Sequence, residues 1–88
     1  MTSRKNPSIE AAFGQVVRSA RESIGISQEA LADRASLHRT FVSQIERGVK
    51  SPSLDSMRRL SIGVGVSLDE MLRRTLLIAQ CHAGKARA

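Results

Sequence analysis

The sequence contains one cysteine, no tryptophan, no tyrosine and two phenylalanines in 88 residues. A lone Cys81 cannot close an internal disulfide. With only His38 and His82 beside it, Cys81 cannot complete a closed zinc site, so no structural metal and no cofactor is expected. At the end of a helical stretch Cys81 reads as an incidental small hydrophobe rather than a redox sensor. With Phe13 and Phe41 as the aromatics, the core has to be aliphatic, and stacking of unpaired bases on rings is excluded as the main binding mode. No apolar run approaches the roughly 18 residues of a membrane span. The opening MTSRKNPS lacks the long apolar core of a signal peptide. A cytoplasmic protein with no membrane partner is expected. Groupings that carry catalysis are missing as well: there is no carboxylate pair, Cys/His pair, Ser/His/Asp set or phosphate-binding glycine loop. No catalytic residue is assigned.

Acid is in short supply. Fourteen Lys and Arg face eight Asp and Glu, a net charge of +6, which favours an anionic partner. Apolar residues make up 41% of the chain, enough with the six glycines for one packed domain, and the length leaves room for only one.

Apolar residues recur at three and four positions throughout, and the breaks carry Gly, Ser or Pro, so the reading is all-α. A first helix starts at an N-cap Ser8 and buries Ile9, Phe13, Val16, Ala20 and Ile24 before Gly25 ends it. Ser27 caps a short second helix over 28–35 with Leu31 and Ala35 inward, and Ser36-Leu37-His38 forms a turn plugged by Leu37. A third helix follows from Arg39 to Arg47, with Val42 and Ile45 inward and Gly48 as its stop. After the loop Val49-Lys50-Ser51-Pro52, Ser53 caps a fourth helix burying Leu54, Met57, Leu60 and Val64, weakened by Gly63 and closed by Gly65. Ser67-Leu68-Asp69-Glu70 has the form of a capping box and opens a fifth helix striped by Leu68, Met71, Leu72, Thr75, Leu76 and Ala79. Leu77 and Ile78 fall off that stripe. The expected organisation is a disordered arm over 1–7, a domain over 8–80 and a disordered basic tail over 81–88.

Two short helices joined by a tight turn, followed by two more, have the form of a helix-turn-helix whose second member enters the DNA major groove. Gly25-Ile26-Ser27-Gln28-Glu29-Ala30-Leu31-Ala32 and Val42-Ser43-Gln44-Ile45-Glu46-Arg47-Gly48 resemble the Cro and phage-repressor class. The resemblance runs on through Ser51-Pro52-Ser53-Leu54-Asp55 and Val66-Ser67-Leu68-Asp69-Glu70, covering about residues 9 to 72. Within that class, Leu37-His38-Arg39-Thr40-Phe41 is most similar to the controller proteins of restriction-modification systems, which often carry Leu-Asp-Arg-Thr-Tyr there. This chain departs from the pattern at His38 and Phe41. The resemblance implies a compact five-helix phage-repressor-like domain and a regulator of transcription acting on double-stranded DNA, autoregulatory as a repressor and also as an activator, a dimer on a high-affinity site recruiting polymerase and further dimers on a weaker site repressing.

On such a helix the first turn meets base edges, so Arg39, Thr40, Ser43 and Gln44 are the candidates for base contact. Arg39 can hold guanine O6 and N7 with its forked donors and Gln44 can bond adenine, each bidentate pair discriminating by roughly 1–3 kcal/mol. A solvated charge or a phosphate contact is the alternative for Arg39, and Thr40 serves equally well on a thymine methyl or a phosphate. Gln28 resembles the family's phosphate-clamping glutamine at a helix N-terminus. Arg47, Lys50 and Ser51 follow the reading helix as phosphate contacts, with His38 as its cap beside the backbone and Phe41 against sugar or a thymine methyl. The resemblance also implies that Glu46 pairs with an arginine of the first helix, and Arg18 is the candidate.

One reading helix spans only a few base pairs, whereas two related by a twofold axis read half-sites about 10 base pairs apart, so a homodimer is expected. Leu72, Thr75, Leu76 and Ile78 on the fifth helix are the candidate dimer contacts, the alternative being that they complete the monomer core. An antitoxin-type module that binds an unknown protein partner as well as its own promoter is the rival function. A basic amphipathic membrane binder fits less well, because the charges are spread over all helices and loops.

Overall fold

The computed structural model describes residues 7–79, which form five helices and no strand: α1 (Ile9–Ser23), α2 (Gln28–Ala35), α3 (Arg39–Glu46), α4 (Leu54–Val64) and α5 (Leu68–Ala79). Among these residues no helix is long and apolar enough to cross a membrane. The expected tail with Cys81 and His82, and the arm apart from Pro7, lie outside the described residues.

Four of the five helices begin at serines. Ser8, Ser27 and Ser53 have extended backbones, and each side chain accepts a hydrogen bond from the amide three residues on, Ala11, Ala30 and Ser56, at 3.0 Å. Ser67 accepts in the same way from Glu70 at 3.4 Å. Each bond satisfies an amide that a helix start leaves without a partner, a contribution of about 1 kcal/mol. The expected capping box is only half made, because the Glu70 carboxylate accepts from Arg73 and Arg74 rather than from the Ser67 amide.

The first four helices end alike. A residue in the left-handed conformation follows, and the next amide reaches back five positions: Ile26 to Arg21, Leu37 to Ala32, Val49 to Gln44 and Val66 to Ser61, at 2.9–3.3 Å. Gly25, Gly48 and Gly65 take the left-handed place, and Ser36 takes it in the turn between α2 and α3 at φ 56°.

The core is aliphatic apart from Phe13, and runs through all five helices: Val16 and Val17 from α1, Leu31 from α2, Val42 and Ile45 from α3, Leu60 and Val64 from α4, Met71 from α5. α1 lies mainly on α5 and α3, and α2 on α4 and α3. Three residues expected in this core are exposed: Ile9 and Ile24 at the two ends of α1, and Leu54 at the first position of α4 with 67% of its surface open. Spacing sets the direction of a side chain around its helix but not how much of it a neighbouring helix covers. Gly63, expected as a weak point, is a packing site. A Cβ there would lie 2.7 Å from Leu31 Cδ1, so its absence lets α2 settle onto α4. Of the two residues off the α5 stripe, Leu77 is exposed whereas Ile78 packs against the core.

Candidate nucleic-acid interface

α2, the turn at Ser36-Leu37-His38 and α3 form the two-helix unit expected from the sequence. Three contacts fix where α3 lies. Val42 and Ile45 are fully buried beneath it. Gly14 lets the backbone of α1 approach its C-terminal end: a Cβ there would collide with the Ile45 carbonyl oxygen and lie 2.8 Å from that of Glu46. The third contact is ionic. Arg21 donates from Nε to Glu46 Oε2 at 2.7 Å and from Nη2 to Oε1 at 3.0 Å, and its Nη1 donates to the Ile26 carbonyl at 2.8 Å. The Glu46 side chain is 2% exposed and that of Arg21 11%. The hydrogen bonds to Glu46 raise the Arg21 pKa above its ordinary value, against the opposing effect of burial.

The first-helix partner of Glu46 is therefore Arg21 and not Arg18. Arg18 points to solvent, where its Nε donates to Glu22 at 3.0 Å. The sequence carried a signal for this: at 100° per residue Arg21 falls on the line through Gly14 and Val17, which faces α3, whereas Arg18 is rotated away from it.

With its buried side anchored, α3 turns a polar face outward. Arg39 and Thr40 in its first turn are exposed, and Ser43 and Gln44, one turn on, are half-buried. All four lie on one face at helical spacing. Phe41 is half-buried and packs against the core, leaving part of the ring at the surface. His38 occupies the N-cap position with an extended backbone, but its side chain makes no capping hydrogen bond. Arg47, Lys50 and Ser51 are exposed at the end of α3 and in the loop after it. Gln28, at the first position of α2, is half-buried, and its Nε2 donates to Glu46 Oε1 at 3.0 Å.

The partners of the positive side chains sort them into two groups. Arg18, Arg21, Arg58, Arg59, Arg73 and Arg74 bind carboxylates, and Arg34 donates to the Gly63 carbonyl. Asp55 is shared by Arg59 and Arg58, and Glu70 by Arg74 and Arg73; these hydrogen bonds hold both carboxyls below their usual pKa. Among the described residues, Arg39, Arg47 and Lys50 have no hydrogen-bond or ion-pair partner within the chain, and all three flank the exposed face of α3. The uncommitted positive charge is thus concentrated where an anionic backbone would run beside α3.

The candidate dimer contacts divide. Thr75 is 1% exposed and donates its hydroxyl to the Met71 carbonyl at 2.7 Å, so it belongs to the interior of the chain and is not available at the surface. Ile78 packs back on the core. Leu72 and Leu76, with the buried Thr75 between them, line an open apolar groove of about 320 Å³ together with Ile9, Phe13, Pro52 and Met57. The groups His, Cys, Asp and Glu form no cluster suited to a metal among the described residues.

A helix-turn-helix family model matches residues 17–71. The control protein C.BamHI of Bacillus amyloliquefaciens is 42% identical over 78 residues, which cover 88% of this chain and 95% of that protein. The restriction-modification controller protein C.AhdI of Aeromonas hydrophila superposes with a TM-score of 0.69 at 34% identity, over 70% of this chain and 94% of that one. The structure of C.Esp1396I bound to a 19 base pair DNA duplex superposes with a TM-score of 0.71 at 30% identity, over 81% of this chain and 99% of that one. The chain belongs to the XRE-type helix-turn-helix family and is a DNA-binding regulator related to the restriction-modification controller proteins.

Proposed function

We propose that the protein binds a palindromic operator as a homodimer in the cytoplasm and regulates its own transcription. The observation that carries this reading is the segregation of charge: among the described residues Arg39, Arg47 and Lys50 are without intrachain partners beside the polar face of α3, while the arginines of α4 and α5 are bound to Asp55 and Glu70. Arg39, Thr40, Ser43 and Gln44 read base edges. Arg47, Lys50 and Ser51 take phosphates, with Gln28 at the start of α2 and with His38 and Phe41 at the margin of the groove.

Dimerisation is supported by the groove on α5 and by Leu76 and Leu77, both exposed on that helix. An apolar surface on so small a domain is costly in water and is covered by a second copy. Regulation follows concentration: one dimer fills a strong site and recruits polymerase, and further dimers fill a weaker site and repress. Kinship with control proteins that include C.BamHI supports this logic.

The test is selection of duplexes from genomic DNA, including the DNA upstream of its own gene, by wild type and Arg39→Ala in parallel. The expected result is a palindromic site whose recognition relaxes at one base position in each half when Arg39 is removed. Weak, sequence-blind binding that vanishes with salt would overturn the reading and favour a protein partner as the main target.

A further inference from the structure

Glu46 touches two elements at once. Its carboxylate is closed in by Arg21 of α1, and the same Oε1 that accepts from Arg21 Nη2 accepts from Gln28 Nε2 at 3.0 Å. A carboxamide is ambiguous on its own, because its oxygen accepts and its nitrogen donates, and either can face a given neighbour. Here the choice is forced. A buried carboxylate only accepts, so it must be met by nitrogen. The carboxamide nitrogen carries two hydrogens about 120° apart, and one is spent on Glu46. The other hydrogen has no intrachain partner among the described residues, and the half-buried Gln28 holds it at the first position of α2, where the helix amides also favour an anion.

We propose that Glu46 is a positioning residue for the phosphate grip: from inside the protein it fixes the Gln28 carboxamide through one Nε2 hydrogen, leaving the second Nε2 hydrogen as the donor to a DNA phosphate. This rests on the reading of Gln28 as a phosphate contact. A carboxamide turned the other way would set its oxygen against the Glu46 carboxylate, two acceptors with no hydrogen between them. Arg21, bonded to both oxygens of Glu46, holds the carboxylate still and so stabilises the orientation indirectly. The end of α3 and the start of α2 therefore share one carboxylate, and seating of the reading helix and aiming of the phosphate donor are a single event.

Two measurements on the full chain test this. The first is a double-mutant cycle on the selected duplex with Gln28→Met, which keeps the bulk and removes the amide, and Glu46→Gln, with folding of each verified by thermal melting. Gln28→Met is expected to weaken binding roughly tenfold and, because a carboxamide carries no charge, to leave the slope of log affinity against log salt unchanged. Glu46→Gln is expected to do the same, and the pair together no more than either alone. If the two losses multiply, Gln28 is aimed independently of Glu46 and the proposal fails, while the operator reading stands. If wild type selects no duplex, both fail.

The second measurement uses wild type and is independent of whether Glu46→Gln folds. In the free protein, NMR of the Gln28 side-chain amide is expected to show one proton slowed in exchange and its geminal partner exchanging freely. Duplex then protects the second. Two freely exchanging protons in the free protein would refute an orientation fixed by Glu46.

Discussion

The guanidinium of Arg21 grips both oxygens of the Glu46 carboxylate, 2.7 and 3.0 Å away, in a pair almost sealed from water. Removing one member leaves the other charge buried without a partner, which costs about 3–5 kcal/mol where such pairs are broken. Arg21→Ala is therefore expected to lower stability by about that much, a large share of the 5–15 kcal/mol typical of a domain. Arg18→Ala, at the exposed Arg18–Glu22 pair, should change it by under about 1 kcal/mol. Urea unfolding of the two variants checks the contrast, and equal losses would contradict the assignment of the partner.

Gly14→Ala tests the close approach of α1 to α3. The new Cβ would meet the carbonyl oxygens of Ile45 and Glu46, which are backbone and cannot swing aside as a flexible side chain can. A loss of about 3 kcal/mol is expected, with weakened DNA binding at temperatures where the variant remains folded, because α3 itself has to shift. A melting curve matching wild type would show that the helices part without cost.

Ser36 is the described non-glycine residue with positive φ. Its Cβ costs roughly 1–2 kcal/mol in the left-handed region, offset in part by the greater freedom glycine has when unfolded. Ser36→Gly should then stabilise by about 0.5–1 kcal/mol and raise Tm by a few degrees. A fall in Tm would show that the hydroxyl has a role in the turn.

Acid should loosen α4 and α5. Asp55 and Glu70 have folded-state pKa values lowered by hydrogen bonds from Arg59 and Arg74, then from Arg58 and Arg73. A lowered value means that stability is fully present above the unfolded carboxyl values, 3.8 and 4.5, and is lost as pH falls below them through the folded ones. Both carboxylates are open to solvent, so the effect is small and fades with added salt. Tm measured from pH 6 down to about pH 3 should fall less steeply in Glu70→Gln than in wild type. Identical slopes would remove Glu70 from the account.

On DNA, the two classes of contact should separate. Arg39→Ala is expected to lose about 1–3 kcal/mol on the selected site and little elsewhere. Arg47→Ala and Lys50→Ala should weaken all sequences alike and each lower the salt slope by about 0.9 per chain. Parallel titrations on selected and scrambled duplexes distinguish the two, and a sequence-independent loss at Arg39 would reassign it to phosphate.

Much of this was legible in the residues because the helix signals are local. Ser8, Ser27, Ser53 and Ser67 need only their own amides three positions on, and Gly25, Gly48 and Gly65 need only their own φ, so the boundaries could be read without knowing the fold. What depended on neighbours was harder to see. Ile9, Ile24 and Leu54 fit the apolar spacing of their helices yet stay exposed at the helix ends. Gly63 looks like a defect until Leu31 of α2 is placed against it. Thr75 continues an apolar stripe and was assigned to a surface, yet the stripe at that height faces α1 and the core, with the hydroxyl satisfied by Met71. Arg18 and Arg21 differ by one helical turn, and only the approach of α3 across Gly14 decides which one meets Glu46.

Mechanically, α3 is a cantilever. Its far end is clamped by Arg21, Gln28 and the backbone of α1, whereas its near end starts at His38 without a side-chain cap, carrying Arg39 and Thr40 out into solvent. A beam fixed at one end yields at the other. The amides of the first turn should exchange hydrogen faster than those near Ile45, and on the operator proposed above that end would adjust by small tilts to half-sites of unequal sequence while the clamped end keeps its place.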